Sequence, residues 1–204
     1  MVNCKICSNP VQILPPHYFQ CNTCGFIFTN QVLTKPEQKQ RYLLHNNDFS
    51  NKGYVDMFKD FIKRAIAPIK PNLKTCLDFG SGPTPVLASL LKAEGIDVDI
   101  YDIFFSPKKP KRKYDLITAT EVLEHLEDPL ATMHELKNLL NPDGCIAIMT
   151  LFYKGNWENW WYKTDPTHIS FFTKDTMRYL AKLLKLRLTF IDERNICIME
   201  RLTL

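Results

Sequence analysis

Between Thr75 and Asp102 the chain reads "TCLDFGSGPTPVLASLLKAEGIDVDIYD", and no other stretch narrows its fold so far. An apolar run of strand length ends in Gly80-Ser81-Gly82. Pro85, which suits the first turn of a helix, then opens an apolar run at helical spacing, and "IDVDIYD" returns to a strand pattern. A strand joined to the next strand through a helix is a parallel crossover, because parallel strands need a long connection. Glycines at the turn let the backbone approach a ligand closely, and the helix start offers unpaired N–H groups. Asp102 closes the second strand, where a carboxylate can accept both hydroxyls of a ribose.

The alternation continues through "YDLITA", "EVLEHLEDPLATMHELKNLL", "GCIAIMTLF", "TKDTMRYLAKLLK", "LRLTFIDE" and "ICIMERL". It predicts an α/β domain over 73–204, a mostly parallel sheet wrapped by helices. The last two strands, separated by a short turn at Arg194 and Asn195, must run antiparallel. Upstream, Val55, Phe58, Phe61, Ile62, Ala65, Ile66 and Ile69 recur at helical spacing up to the Pro68 and Pro71 breaks, which predicts a docking helix within a linker over 35–72. Tyr42, His45, Asn46 and Tyr54 precede or open it, in a stretch that reads either as a lid over a site or as a solvated connection.

Four of the seven cysteines form two CxxC pairs, Cys4 with Cys7 and Cys21 with Cys24. Four thiolates match the tetrahedral preference of Zn²⁺, and so short a segment cannot bury a core without a staple. Residues 1–34 are therefore expected to form a zinc ribbon, with His17 as a substitute ligand. Cys76, Cys145 and Cys197 read as buried core thiols. From Met1 to Thr34 the only charged side chain is Lys5, and a Zn(Cys)₄ centre is itself anionic, so phosphates would find little to neutralise there. Tyr18, Phe19, Phe26 and Phe28 are expected to pack on the following domain or to hold a protein partner. The overall formal charge of +4 is too small to argue for nucleic acid. Apolar runs such as "CIAIMTLF" are too short to span a bilayer, and "MVNCKICSNP" is no signal peptide, which places the chain in the cytoplasm.

A dinucleotide fold would want a third glycine where Pro85 stands, so a ligand with a ribose but no pyrophosphate fits better. "LDFGSGP", Tyr101-Asp102, "YDLITATEVLEHLEDP", "LLNPDGCIAIMT" and the closing hairpin resemble the class I S-adenosylmethionine-dependent methyltransferases, over 73–204. The resemblance implies a Rossmann-like sheet and S-adenosylmethionine as cofactor. Asp78, Gly80, Ser81 and Gly82 would surround its methionine part, Asp102 would hold its ribose, and Thr120 and Glu121 would line the floor. Two departures stand out. Thr84 replaces the third glycine of the family's usual loop. The interval "IFFSPKKPKRK" lacks the helix, strand and adenine-binding acid normal there, which leaves adenine to Ile103 and Phe104. The basic run Lys108 to Lys113 reads as a solvated loop, with a grip on an anionic acceptor as the alternative.

In "ATEVLEHLEDP", Glu121, Glu124 and His125 are spaced to share one face of a helix. Thr118 to Glu121 matches a capping box, and acidic side chains there suit the helix dipole. An imidazolium at the same place would be repelled, so His125 reads as a neutral base or ligand. His168, in "DPTHISFFTKDTM", precedes a helix expected from Thr173. Glu121, Glu124, His125 and His168 resemble the metal-binding set of methyltransferases that act on ubiquinone-precursor catechols or on small-RNA ends. That implies Mg²⁺ or Mn²⁺ there, with His168, His125 and Glu124 as catalytic residues. Trp157, Trp160, Trp161, Tyr162, Phe171 and Phe172 would supply a flat apolar wall. The expected function is O-methylation of a small aromatic or lipid-like acceptor. Its rivals are a ribosomal RNA methyltransferase, against which the uncharged ribbon argues, and a non-catalytic adapter that keeps the fold.

Overall fold

The computed structural model describes residues 2–69, 71 and 73–201. Met1 of the expected ribbon, positions 70 and 72 of the expected linker and 202–204 of the expected α/β domain lie outside them. Three short strands come first, β1 (Gln12–Leu14), β2 (Tyr18–Gln20) and β3 (Ile27–Thr29). Two helices follow. In α1 (Lys35–Leu43) the Thr34 N–H donates to Glu37 at 2.8 Å, and α2 (Lys52–Phe61) is capped by the Asn51 side chain, which accepts from the Tyr54 N–H. A single π-helical turn, Ile62–Ile66, extends α2.

The rest of the chain comprises β4 (Thr75–Phe79), α3 (Val86–Ala93), β5 (Asp97–Tyr101), β6 (Tyr114–Thr120), α4 (Pro129–Asn138), β7 (Leu140–Met149), β8 (Ser170–Phe171), α5 (Lys174–Leu183), β9 (Leu186–Ile191) and β10 (Ile196–Arg201). Six strands lie in the order β5-β4-β6-β7-β10-β9. β5, β4, β6 and β7 are parallel, and β10 runs antiparallel to both β7 and β9, as the short final turn requires. Both faces of the sheet are covered, which is why Leu116–Thr120 of β6 and Gly144–Met149 of β7 are buried without a break. Phe58, Phe61 and Ile66 join Val86, Leu87 and Leu91 on one face. Met133, Leu136, Met177 and Leu180 pack on the other. Cys76, Cys145 and Cys197 are buried, unbridged thiols, as expected.

The cysteine-rich segment is part of this architecture. β8, from the far end of the chain, completes its sheet in the order β1-β2-β3-β8, with Ile27 opposite Phe171 and Phe28 opposite Ser170. Phe26 and Phe28 are fully buried against the same core as Phe172 and Leu180. Each buried ring contributes about 1.5–3 kcal/mol, so the segment is welded to the α/β domain and not tethered to it. Tyr18 packs edge-on against Trp157 at 4.8 Å.

Two expectations need correction. The helix expected from Glu121 begins only at Pro129, capped by Asp128, whose side chain accepts from the Ala131 N–H at 2.9 Å. Glu121 is left-handed (φ 52°), and Leu123–His125 make one 3-10 turn. The Glu121 N–H extends the β6–β7 ladder by donating to the Met149 carbonyl at 2.8 Å, and this holds the backbone out of a helix. The capping box is absent for the same reason: Thr118 lies inside β6 and donates to Asp78 at 2.9 Å. His125 thus sits at no helix start. In place of the family's helix and strand after Asp102, the chain makes a tight turn in which Asp102 and Ser106 exchange backbone hydrogen bonds, so β5 is a sheet edge. Arg112 pairs with Asp97 and Asp99 along that edge, whereas Lys108, Lys109, Lys111 and Lys113 are exposed. No described helix is long and apolar enough to cross a membrane.

Candidate active site

The carboxyl ends of β4, β5 and β6 open into a cavity of about 1080 Å³, roofed by α1, the start of α2 and the loop between them. This is where a doubly wound sheet binds ligands. Gly80, Gly82, Asp102, Ile103, Phe104, Thr120 and Glu121 line one end; His125, Trp161, Tyr162 and His168 line the other. Tyr42, His45, Asn47 and Tyr54 line the roof. The stretch that read as lid or connection therefore covers the cavity. Asn46 is not among the lining residues; its carbonyl accepts from Asn51.

At the glycine turn, Gly80 and Gly82 are both left-handed (φ 78° and 67°). A Cβ on Gly80 would lie 2.3 Å from a Val122 methyl, whereas one on Gly82 would meet nothing within 4 Å. Gly82 is thus backbone bared to the cavity, the close approach a nucleoside-type ligand requires. Asp102 bridges the two ends of this subsite, accepting from Gly82 N–H at 3.0 Å and from Phe104 and Phe105 N–H at 2.8 and 3.0 Å. Those bonds fix the carboxylate where a ribose would lie. Phe104 meets Tyr42 of the roof at 5.7 Å, and Ile103 is 55% exposed at the rim, giving an apolar place for a base. Asp78 and Ser81 are buried behind the turn and do not line the cavity. Burial pushes the Asp78 carboxyl up to about 6, and its hydrogen bond from Thr118 only partly offsets that.

At the other end, one ligand atom each of Glu124, His125 and His168 lies within 4.8 Å of the other two. His125 Nδ1 faces the Thr167 carbonyl at 3.0 Å, and His168 Nδ1 faces the Tyr162 carbonyl at 2.7 Å. A carbonyl only accepts, so both Nδ1 atoms carry the proton and both Nε2 atoms of the neutral rings present a lone pair. Burial lowers His125 to about 4 and lowers His168 as well, which favours the neutral rings. Glu124 is fully buried; Oε1 accepts from the Tyr162 hydroxyl, and Oε2 has no hydrogen-bond partner among the described residues. An orphaned carboxylate oxygen beside two imidazole lone pairs is a donor set for a cation.

Glu121, expected in the same set, is not one of these three. It reaches the Tyr162 hydroxyl at 3.1 Å, and burial, with the neighbouring Glu124 charge, raises it well above the usual carboxylate range. The sequence placed Tyr162 only in an aromatic wall; its role between two carboxyls depends on a contact across forty positions that no local pattern encodes. Trp157, Trp160 and Phe171 pack together beneath this end, while Trp161 is 68% exposed. In the N-terminal segment the four cysteine sulfurs also lie within 4.8 Å of one another, with Cys4 and Cys24 at 3.6 Å and Cys7 and Cys21 at 3.4 Å. Those separations suit a tetrahedron of zinc–sulfur bonds, whose edge is about 3.8 Å. His17 is not in the cluster; its ring stacks on Tyr18.

Sheet order and connectivity define a doubly wound α/β fold, with the glycine turn and the strand-end acid at its carboxyl-end cavity. The sequence profile of the methyltransferase domain family Methyltransf_23 matches residues 52–189, and the chain belongs to that family. A ubiquinone biosynthesis O-methyltransferase of Salmonella paratyphi A is 32% identical over 83 residues, 40% of this chain and 34% of that protein, so the match spans about a third of the relative's length. Among solved structures, a SAM dependent methyltransferase from Archaeoglobus fulgidus aligns with a TM-score of 0.56 at 17% identity, covering 72% of this chain and 94% of that one. The mitomycin 7-O-methyltransferase MmcR aligns at 0.57 and 13% identity, covering 73% and 55%. At these identities the structures speak for the fold alone.

Proposed function

We propose that the protein transfers the methyl group of S-adenosylmethionine to an oxygen of a small aromatic or lipid-like acceptor. A divalent cation would sit on Glu124, His125 and His168, and zinc on Cys4, Cys7, Cys21 and Cys24. The observation that carries the reading is the convergence of two free imidazole Nε2 atoms and one unpartnered, buried carboxylate oxygen beside the cavity. Two nitrogens and one oxygen suit Mn²⁺, Fe²⁺ or Zn²⁺ better than Mg²⁺, which prefers oxygen alone. The similarity to an O-methyltransferase and the aromatic residues at that end support an oxygen acceptor with a flat ring.

S-adenosylmethionine supplies an electrophilic methyl group, and a cation supplies Lewis acidity that lowers the pKa of an acceptor hydroxyl. The rest falls to the chain. Gly80, Gly82 and Asp102 hold the donor at one end of the cavity, and the histidine end holds the acceptor. Proximity and in-line alignment then provide much of the acceleration. Where no cation occupies its Nε2, His168 takes the acceptor proton there; with a cation held on that nitrogen, the lowered hydroxyl pKa would let the proton pass to solvent instead. The α1–α2 roof excludes water.

The test is turnover of simple catechols with labelled S-adenosylmethionine, with and without Mn²⁺, in wild type and His168→Ala. We expect Mn²⁺-dependent methylation, a loss of at least about 100-fold in the variant, and S-adenosylhomocysteine affinity close to wild type. Equal loss of turnover and affinity would sink the role given to His168.

A further inference from the structure

The cysteine-rich segment touches the strand that carries the histidine end at nearly every residue. Thr29 N–H donates to the Ile169 carbonyl at 3.0 Å, immediately after His168. Phe28 and Ile27 pair with Ser170 and Phe171. Phe26 meets Phe172 at 5.2 Å. Gly25 lies so close to Thr173 that a Cβ would fall 2.6 Å from its hydroxyl, and Thr176 donates to the Cys24 carbonyl at 2.9 Å. On its other side the same strand holds the Glu124 turn. Ile169 N–H donates to the Glu124 carbonyl at 2.8 Å, and Ser170 Oγ donates to the Leu126 carbonyl at 2.7 Å. A continuous path thus runs from Cys24 along the chain into β3, across hydrogen bonds to Ile169 and β8, and from there by the chain to His168 and by a hydrogen bond to Glu124.

From this path we infer that the four-cysteine centre is a positioning device for the acceptor end of the active site. With its thiolates bound to zinc, the Cys21–Cys24 turn fixes β3, β3 fixes β8, and β8 sets His168 against Glu124 and His125. The cysteines are positioning residues, since none of them lines the cavity. The glycine turn and Asp102, held by β4 and β5, have no strand pairing with the segment and stand apart from this control. Loss of zinc would therefore open one half of the site selectively. Local unfolding of this kind is expected where one short strand is held chiefly by its neighbour. The inference rests on the proposed cation site only for its second readout.

The experiment is backbone hydrogen exchange on the full-length, zinc-loaded protein, before and after zinc is stripped by a chelator and again after zinc is restored. Calorimetric titrations with S-adenosylhomocysteine and with Mn²⁺ accompany each state. We expect exchange across 167–173 to rise by about tenfold or more on stripping, while β4 and β6 change by less than about twofold. S-adenosylhomocysteine affinity should hold, Mn²⁺ affinity should drop about tenfold, and zinc should reverse both changes. Unchanged exchange at 167–173 would overturn the inference. Loss of protection throughout the sheet together with cofactor binding would also overturn it, because zinc would then staple the whole fold. Absence of Mn²⁺ binding in the zinc-loaded protein would count against the cation reading alone, and the exchange data would still decide the coupling. Cys7→Ala, made in the half-exposed member of the cluster, should reproduce the stripped state.

Discussion

The Tyr162 hydroxyl donates to Glu124 and lies 3.1 Å from Glu121, so one phenol joins a carboxyl that lines the cavity, Glu121, to one buried behind it, Glu124. A hydroxyl has a single proton to give. With that proton directed at Glu124, the second contact is a hydrogen bond only if Glu121 is protonated and donates to the Tyr162 oxygen. Burial and the nearby carboxylate raise Glu121 in the direction this requires. Tyr162→Phe removes the link without changing the ring. We expect cation affinity at the histidine end to fall about 10- to 100-fold, the usual effect of losing a partner that orients a metal ligand. Cofactor affinity should not follow. Calorimetry with Mn²⁺ and with S-adenosylhomocysteine would separate the two.

Asp78 gives the fold a pH dependence with a definite sign. Its carboxyl is raised to about 6 by burial, above the unfolded value near 4. The stability it contributes is therefore fully present below about pH 4 and is lost as pH rises through 6. Asn at this position can still accept the Thr118 hydrogen bond but cannot ionise. The advantage of Asp78→Asn over wild type should grow by about 1.4 kcal/mol between pH 5 and pH 8. Urea denaturation at the two pH values measures it, and an identical gap at both would contradict the assignment.

The two glycines of the cofactor turn should differ. Gly80→Ala drives a Cβ into Val122, at 2.3 Å, besides straining a left-handed residue. Gly82→Ala meets only the backbone strain of about 1–2 kcal/mol. Thermal denaturation should show Gly80→Ala as the more destabilised, and titration with S-adenosylhomocysteine should show at least about a tenfold loss of affinity.

Arg41 of the roof reaches Asp165 at 3.1 Å, and Asp165 accepts from Thr167, whose carbonyl faces His125. Such a partly exposed ion pair contributes at most about 1 kcal/mol to stability, so Arg41→Ala should melt within a few degrees of wild type. Its effect should lie in closure: the acceptor KM should rise about three- to tenfold at low salt and by a smaller factor at high salt, where screening has already weakened the pair in the wild type. Steady-state kinetics at two salt concentrations would check this.

What the sequence determined by itself was whatever rests on neighbours in the chain. The turn from Thr75 to Asp102, the antiparallel final hairpin, the docking helix around Phe58 and Phe61, and the paired cysteines follow from periodicity, proline and glycine placement, and ligand spacing. Tertiary structure decided the rest. Glu121 was spaced as a helix residue, yet its N–H found the Met149 carbonyl on a neighbouring strand, and that one bond moved the helix start to Pro129. The grouping of Glu124 with His125 and His168 could be anticipated only by resemblance, and the exclusion of Glu121 only by locating Tyr162. The pairing of β3 with β8 joins positions more than 140 residues apart. Its partners have no pattern of their own, because a two-residue strand is fixed by the edge that accepts it and not by its own sequence.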